Sequence, residues 1–286
     1  NYNSLHLKRA VKSVVNQKYD NWELIIIDNY STTPSEEIVD YFGNKKIFYY
    51  KFNNNGNIAK ARNYGIKKAR YSWIAFLDSD DLWDSQKLLK VSQKIISNKS
   101  DVYYHAVAYS KKNQLFSKKI KDKSKELKKP FFENLITNGN YLANSSVVVK
   151  KNSLIEINFL DENKLKYSWE DYDCWLRLSL KNKTFYFIDD CLGQCWVGKG
   201  RVSNITQDYV NCKNIVKVYK EKFIHFLNKK KYRPEWINRI YFNYFYNKKN
   251  YLRSLYFLEK LNRHSLGSFL KKIYIIFYFI IKKKFL

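Results

Sequence analysis

The chain has 286 residues, and its 53 Lys and Arg against 26 Asp and Glu give a formal net charge of +27. A hydrophobic content of 45% excludes a wholly disordered chain, and four cysteines are too few for a disulfide-rich scaffold. The charge favours a polyanionic partner, such as nucleic acid, an anionic membrane or a phosphorylated substrate. Because Lys, Asn, Ile, Tyr and Phe are abundant, a bias towards AT-rich codons is an equally good explanation.

The first hundred residues alternate between predicted helices and predicted strands. Apolar spacing and capping residues predict helices over 7–15, from 33, over 57–69 and from the cap Asp84. Short apolar runs predict buried strands over 22–28, 46–51, 72–77 and 101–108. The alternation predicts an α/β fold with a Rossmann-like, mostly parallel sheet and helices on both faces. Ligands bind such sheets at the carboxyl ends of strands, where Asp28 and Asp78 lie.

Beyond residue 110 the pattern is less regular. A lysine-rich insertion over 111–130 precedes a predicted strand over 145–151 and a predicted amphipathic helix over 168–182. The remainder is basic and helical in pattern. We therefore predict an α/β domain over 1–204 and a basic helical C-terminal region over 205–286.

Three carboxylates, Asp78, Asp80 and Asp81, follow the apolar run of "WIAFLDSDDLW" (73–83). Unpaired carboxylates at the end of a core strand repel one another and lose water. Asp-Ser-Asp places two side chains on the same side of an extended turn, which suits Mg²⁺ or Mn²⁺ bound together with substrate phosphates. The alternative is that Asp80, Asp81 and Asp84 merely cap the next helix.

Four segments in this order resemble the family 2 glycosyltransferases, which have the GT-A fold. They are "WELIIIDNYST" (22–32), "GNIAKARNYG" (56–65), "WIAFLDSDDLW" (73–83) and "WEDYDCWLRL" (169–178). The resemblance, which covers about residues 2–200, makes the α/β domain a GT-A catalytic domain. It implies a metal-dependent, inverting transfer of a sugar from a nucleotide diphosphate sugar to a glycan or lipid-linked acceptor. Bacterial surface polysaccharide biosynthesis is the expected setting.

The resemblance also implies how the donor is bound. A divalent cation, Mn²⁺ or Mg²⁺, would be bound by Asp80. Asp78 would lie near the ribose, Asp28 and Asn29 would line the nucleobase pocket, and Tyr2 would stack on the base. Asn29 stands where relatives carry an acid that contacts uracil, so a UDP sugar is the first expectation and TDP or GDP sugars are alternatives. The expected donor-binding residues are Tyr2, Asp28, Asn29, Arg62 and Asp78.

The resemblance places the catalytic base in the acidic pair Glu170-Asp171, and we assign it to Asp171. A carboxylate there would take the proton of the acceptor hydroxyl as that hydroxyl attacks the anomeric carbon opposite the diphosphate. The start of a helix is expected to keep Asp171 ionised. The alternative is that both acids only favour the positive end of their helix, Glu170 being the more structural of the two.

Several features depart from the family pattern. Relatives begin with a strand of the form "SIIIPxYN", of which this sequence has only "NYN" (1–3), so we expect the sheet to lack a central member. The segment 195–204 has no His, and Lys199 or Arg201 is expected to face the diphosphate instead. Two other functions stay open: a metal-dependent nuclease or phosphotransferase, and an inactive module that binds nucleotide sugars.

The tail over 265–286 places nine apolar residues, 273–281, between lysine clusters. Nine residues cannot span a bilayer, which needs about 20, but a basic aromatic helix can lie on an anionic membrane. The alternative is a helix docked on protein. With no signal peptide visible, we expect a cytoplasmic protein, peripheral on the inner face of the cell membrane, with no nucleic-acid partner.

Overall fold

The computed structural model describes residues 4–31, 36–110, 120–121, 124–163, 168–197, 204–230, 233–261, 270 and 272–275. Its chain divides into two compact units. The first comprises residues 1–132 and 140–202, and the second comprises 133–139 and 203–286. The division near residue 202 lies close to the boundary predicted after residue 204.

The first unit is built from short helices and strands. Its helices are α1 (Ser4–Val15), α2 (Glu36–Phe42), α3 (Ile58–Lys68), α4 (Lys87–Ser97), α6 (Lys151–Glu156) and α7 (Glu170–Leu180), and α5 (Phe131–Asn138) begins here and lies mostly in the second unit. Its strands are β1 (Leu24–Asp28), β2 (Ile47–Lys51), β3 (Trp73–Ala75), β4 (Leu82–Trp83), β5 (Val102–Ser110), β6 (Ile120–Lys121), β7 (Val148–Lys150) and β8 (Phe185–Trp196). A 3₁₀ turn, Asn144–Ser146, precedes β7.

The strands form two sheets. β1 and β2 pair in parallel, with Asp28 opposite Lys51. The larger sheet has the order β3-β7-β5-β8-β4, with β6 beside β5. Within the described residues no strand pairing joins the two sheets.

The α/β class is confirmed, but strand direction is more mixed than the sequence predicts. In the larger sheet β5 and β8 are parallel, whereas β3-β7, β5-β7, β5-β6 and β4-β8 are antiparallel. Part of the difference arises because β4 and β6 are two-residue strands too short to give a pattern in the sequence. The direction of β7 is set by its pairing with β3 and β5, which are distant in the sequence. The twelve-residue β8 was not predicted either, since acids and small polar residues interrupt its apolar pattern.

Helix α1 covers the smaller sheet. Its Leu7 and Val11 pack against Ile26 of β1 and Ile47 of β2. The face of the larger sheet is filled by Tyr103, Val148, Ile188, Leu192 and, from α4, Val91. The carboxyl ends of β1 and β3 both belong to the first unit, and the candidate site lies in the same unit.

The second unit is helical, as the sequence predicts for the region after residue 205. Its helices are α8 (Ile205–Val218), α9 (Lys220–Lys230), α10 (Glu235–Asn247) and α11 (Tyr251–Glu259). Gly139 has φ +79°, and a Cβ there would lie 3.1 Å from Cγ of Trp236, so glycine suits this close approach. None of the helices within the described residues is both long and apolar enough to cross a bilayer. Most of the tail over 265–286 falls outside the described residues, so its predicted role stays a prediction.

Candidate active site

A cavity of about 270 Å³ opens in the first unit among residues that are distant in the sequence. Four carboxylates, Asp78, Asp80, Asp81 and Asp171, line it in a chain whose net charge is +27. Such a concentration of negative charge in a basic protein favours a bound cation. The other lining residues are Tyr109, Asn140, Tyr141, Leu142, Ala143, Asn144, Cys195 and Trp196.

The segment 78–81 after β3, here named the Asp turn, is held by the protein at both ends. Asp78 N donates to Ser145 Oγ at 3.0 Å, and Asn144 Nδ2 donates to Asp78 Oδ1 at 2.9 Å. At the other end Asp81 Oδ1 accepts from Trp196 N at 2.8 Å. Burial, and then the charge of Asp78, raise the pKa of Asp81 to about 7. Between these two anchors Asp80 is half-buried and lines the cavity.

Asp80, Asp81 and Asp84 do not cap the next helix, α4, as the alternative interpretation predicts. Helix α4 begins at Lys87, and its N-cap residue is Gln86. Asp84 Oδ1 accepts from Gln86 N at 2.9 Å, in the turn before the helix. The predicted cap Asp84 is therefore wrong by two residues, because this turn intervenes, and Asp80 and Asp81 lie still further from the helix.

Arg62 on α3 joins the Asp turn to the start of α7. Its Nη2 donates to Asp78 Oδ1 at 2.7 Å, and its Nη1 donates to Glu170 Oε1. The side chain is 16% exposed, so it is not the surface arginine that the pattern of α3 also allows. Burial alone lowers the pKa of Arg62, but the charges of Asp78, Glu170 and Asp171 outweigh burial and raise it. The guanidinium is therefore permanently charged at the centre of the acidic cluster.

Two asparagines fix α3 and thereby place Arg62. Asn57 caps the helix, accepting from Lys60 N, and its Nδ2 donates to Glu162 O at 2.8 Å. Asn63 is buried, and its Nδ2 donates to Leu160 O at 2.8 Å. Both amides tie α3 to the segment that precedes α7, which brings Arg62 within reach of Glu170.

The acidic pair at the start of α7 divides into two environments. Glu170 is 4% exposed and accepts from Arg62 and from Ser168 N. Asp171 is half-buried, lines the cavity, and accepts from Asn140 Nδ2 at 3.1 Å. Burial, and then the charge of Glu170, raise the pKa of Asp171 to about 7, although Arg62 lowers it. The expectation that the helix start keeps Asp171 fully ionised is therefore wrong, because burial outweighs the helix end.

Asp28 and Asn29 lie at the end of β1 and are engaged by the protein. Asp28 is 6% exposed, its Oδ1 accepts from Ser31 N at 3.1 Å, and its Oδ2 accepts from Tyr49 Oη at 2.6 Å. Asn29 is exposed, and its Oδ1 accepts from Asn54 N at 3.0 Å. Neither residue lines the cavity. Their predicted place in a nucleobase pocket stays a prediction.

Some predicted site residues fall outside the described residues, and some lining residues were not predicted. Tyr2, Lys199 and Arg201 belong to the first group. Asn140 and Asn144 belong to the second, since asparagines in an irregular segment give no periodic or motif signal. Only the contacts to Asp171 and Asp78 reveal them.

The residues present fit a hard divalent cation that is completed by a substrate. Within the described residues no group of three or more His, Cys, Asp or Glu side chains is arranged to hold a metal ion. Mg²⁺ commonly binds through one or two carboxylates together with waters and substrate phosphates. Asp80 supplies such a carboxylate in the cavity wall, while Asp78 Oδ1 already accepts from Arg62 and Asn144.

The fold is similar to that of solved glycosyltransferase structures. The mannosyltransferase PcManGT of Pyrobaculum calidifontis, solved in complex with GDP-Man and Mn²⁺, matches with a TM-score of 0.56. The match has 11% identity and covers 94% of this chain and 75% of that one. At this identity the likeness concerns the fold alone, and it confirms the predicted GT-A fold of glycosyltransferases.

The family follows from the sequence. Residues 1–162 match the family described as Glycosyl transferase family 2, and the chain belongs to that family. An uncharacterized glycosyltransferase of Rickettsia typhi is 29% identical over 212 residues, which are 70% of this chain and 62% of that protein. The Escherichia coli UDP-Glc:alpha-D-GlcNAc-diphosphoundecaprenol beta-1,3-glucosyltransferase WfgD is 36% identical over 104 residues, 36% of this chain and 41% of WfgD. The chain thus spans less than two thirds of the length of these relatives.

Proposed function

We propose that this protein is a metal-dependent, inverting glycosyltransferase that takes a sugar from a nucleotide diphosphate sugar. One observation carries the proposal: Arg62 bridges Asp78 to Glu170 beside a cavity that Asp80 and Asp171 line. The bridge brings the segment expected to bind the donor next to the segment expected to hold the base. Membership of glycosyl transferase family 2 supports sugar transfer over the nuclease alternative.

The donor side is proposed to use the Asp turn. Asp80 would hold Mn²⁺ or Mg²⁺, which, when bound, supplies positive charge against the leaving diphosphate. Asp78, oriented by Arg62 and Asn144, would contact the donor near the ribose. A UDP sugar is the first candidate donor, because the name of WfgD includes UDP-Glc. GDP sugars are a second candidate, because PcManGT was solved with GDP-Man and Mn²⁺, and TDP sugars are a third. Asp28 would shape the nucleobase pocket by holding the turn to Ser31.

The acceptor side is proposed to use Asp171. The acceptor oxygen attacks the anomeric carbon and gives its proton to the Asp171 carboxylate. The new carbon–oxygen bond forms as the bond to the diphosphate breaks, and the electron pair leaves with the diphosphate. Attack from the opposite face inverts the configuration. A base with a pKa of about 7 combines useful strength with a substantial ionised fraction at neutral pH.

The acceptor is proposed to be a glycan or a lipid-linked sugar, and the setting bacterial polysaccharide biosynthesis. The name of WfgD includes a diphosphoundecaprenol acceptor, which supports a lipid-linked one here. The lysine clusters of the tail over 265–286 would then hold the protein at the inner membrane surface. Deletion of 265–286 is expected to release the protein from anionic liposomes at low salt. Equal cosedimentation of the deleted and intact proteins would contradict membrane binding by the tail.

Donor hydrolysis tests the proposed function without knowledge of the acceptor. The intact chain is incubated with Mn²⁺ and, in turn, with UDP, TDP and GDP sugars, and released nucleoside diphosphate is measured. We expect slow, metal-dependent release from one nucleotide class, with the inverted anomer of the sugar appearing first by NMR. Cleavage of oligonucleotides in place of nucleotide sugars would favour the nuclease. Binding of a nucleotide sugar without turnover, even with glycan and lipid-linked acceptors, would favour the inactive module.

A further inference from the structure

A lysine is completely buried directly behind the Asp turn. Lys87, the first residue of α4, has 0% exposure, which is rare for this residue type. Its Nζ donates to Ser145 O at 2.9 Å and lies 3.5 Å from the centroid of the Trp83 ring. Neither the metal, the donor contacts nor the base proposed above uses this residue.

The carbonyl that Lys87 contacts belongs to the 3₁₀ turn that supports the candidate site. Trp83 Nε1 donates to the same Ser145 oxygen at 2.8 Å, so both lone pairs of that carbonyl have donors. On the side of the Asp turn, Ser145 Oγ accepts from Asp78 N and Asn144 Nδ2 donates to Asp78 Oδ1. The turn is thus held by Lys87 and Trp83 on one side and holds Asp78 on the other.

The hydrogen bond from Lys87 does not require a charged ammonium. Burial lowers the pKa of Lys87 well below its ordinary value, while Cys195 and Asp81 raise it. A neutral amine still carries N–H groups that donate to a carbonyl, so the contact with Ser145 persists in either protonation state. A lysine that served only as a salt-bridge partner would depend on its charge.

We infer that Lys87 is a positioning residue, which holds the Ser145 carbonyl and thereby keeps the turn 144–146 in place against Asp78. The Asp turn then keeps the geometry in which Asp80 faces the cavity. The consequence for ligands rests on the proposed function, whereas the positioning itself can be measured on the protein alone.

Lys87→Met tests this inference, because methionine fills a similar volume without a donor. Trp83 Nε1 still donates to the Ser145 carbonyl in this variant, so no buried acceptor is left unpaired, and the melting temperature is expected to change little. Amide hydrogen exchange over 76–82 and 143–147 is expected to become about tenfold faster. Metal-dependent binding of a nucleotide sugar is expected to weaken about tenfold, as for the loss of one hydrogen bond.

Lys90→Met is the matched control. Lys90 lies one turn further along α4, is partly exposed, and pairs with Asp190 at 2.9 Å. Its loss is expected to leave exchange over both segments and nucleotide binding unchanged. A similar change in both variants would mean that any lysine of α4 has this effect, which would overturn the inference.

Ser145→Ala keeps the test decisive if Lys87→Met does not fold. This variant retains the carbonyl and its two donors but loses the hydroxyl that accepts from Asp78 N. We expect faster exchange over 76–82 and little change over 143–147. Unchanged exchange over 76–82 in Ser145→Ala, or over both segments in a folded Lys87→Met, overturns the inference. Faster exchange in a protein that binds no nucleotide sugar supports the positioning role while the proposed function fails.

Discussion

Asp28 and Asp78 lie at or after the ends of two strands of the first unit, and the sequence predicts that both bind the donor. Their surroundings in the structure differ. Asp28 is buried, and both of its carboxylate oxygens accept hydrogen bonds from neighbouring residues, Ser31 and Tyr49. Asp78 is half-buried, lines the cavity, and is oriented by Arg62 and Asn144. The position at a strand end predicts where an acid lies, but the residues around its side chain decide whether it is buried in the protein or lines a cavity.

The same contrast separates Glu170 from Asp171. Successive residues of a helix point about 100° apart, so these neighbours face different surroundings. Glu170 is buried against Arg62, whereas Asp171 lines the cavity. We therefore expect substitutions of the cavity-facing acids to affect function and substitutions of the buried acids to affect mainly structure.

The largest effect is expected for Asp171→Asn. The amide is nearly isosteric but cannot take a proton, so turnover should fall by about 10²–10⁴ while donor affinity stays the same. Glu170→Gln is the matched control and should cost less turnover, because Glu170 positions Arg62 and does not face the cavity. Donor affinity and single-turnover rates of both variants provide the comparison. Asp171→Asn within a few-fold of wild type, or a larger loss in Glu170→Gln, would contradict the assignment of the base.

The next largest effect is expected for Asp80→Ala. Removal of the proposed metal ligand should weaken metal-dependent nucleotide binding by about 100-fold. The unfolding temperature should stay close to that of wild type, since Asp80 is half-buried in a cavity wall. Asp84→Ala, an exposed acid in the same segment, should leave nucleotide binding intact. Unaltered nucleotide affinity of Asp80→Ala in saturating Mn²⁺ would remove Asp80 from the metal site.

A pH profile tests whether burial tunes Asp171. The pKa of Asp171 is raised to about 7, so the carboxyl is protonated below that pH and cannot act as a base. The kcat/KM for the acceptor should fall about tenfold per pH unit below 7 and level off above it. Glu170→Gln should move the midpoint downwards, since the charge of Glu170 helps to raise this pKa. A profile that stays flat from about pH 5.5 to 8 would exclude a single base of this kind.

The smallest effect on donor binding is expected for Asp28→Asn. The amide cannot accept from both Ser31 and Tyr49, so the free energy of unfolding should fall by about 1–3 kcal/mol. Nucleotide affinity should fall by only a few-fold, less than in Asp80→Ala, because Asp28 acts on the proposed nucleobase pocket only through Ser31 and does not line the carboxylate cavity. Chemical denaturation and nucleotide titration of the same preparation separate these two effects. If Asp28→Asn lost nucleotide affinity and kept its stability, Asp28 would contact the nucleotide directly, and the prediction would be wrong.

The sequence predicts those parts of the fold that have strong local patterns. The apolar spacing of α1 and the buried run of β1 give elements close to those observed, and the helix predicted over 57–69 is α3 (Ile58–Lys68). The short strand β4 and the direction of β7 were not predictable, because pairing with distant strands determines them.

The same limit applies to the candidate site. The acids of the Asp turn and of α7 occur in recognisable motifs, and the structure places Asp78, Asp80 and Asp171 around one cavity. Ser145 and Asn144 support Asp78 from more than 60 residues away in the sequence. No local sequence pattern predicts such contacts. The residues that hold Asp78 and those that surround Asp171 can therefore be identified only in the structure.

A calorimetric titration of the intact chain with UDP-, TDP- and GDP-linked sugars, first with Mn²⁺ and then with a chelator, tests whether the carboxylate cavity binds a nucleotide diphosphate sugar through a divalent cation. We expect one nucleotide class to bind in Mn²⁺, with affinity at least about 100-fold weaker after chelation. Equal affinity with and without the metal, or no binding of any nucleotide sugar in Mn²⁺, would contradict binding of the donor through a divalent cation.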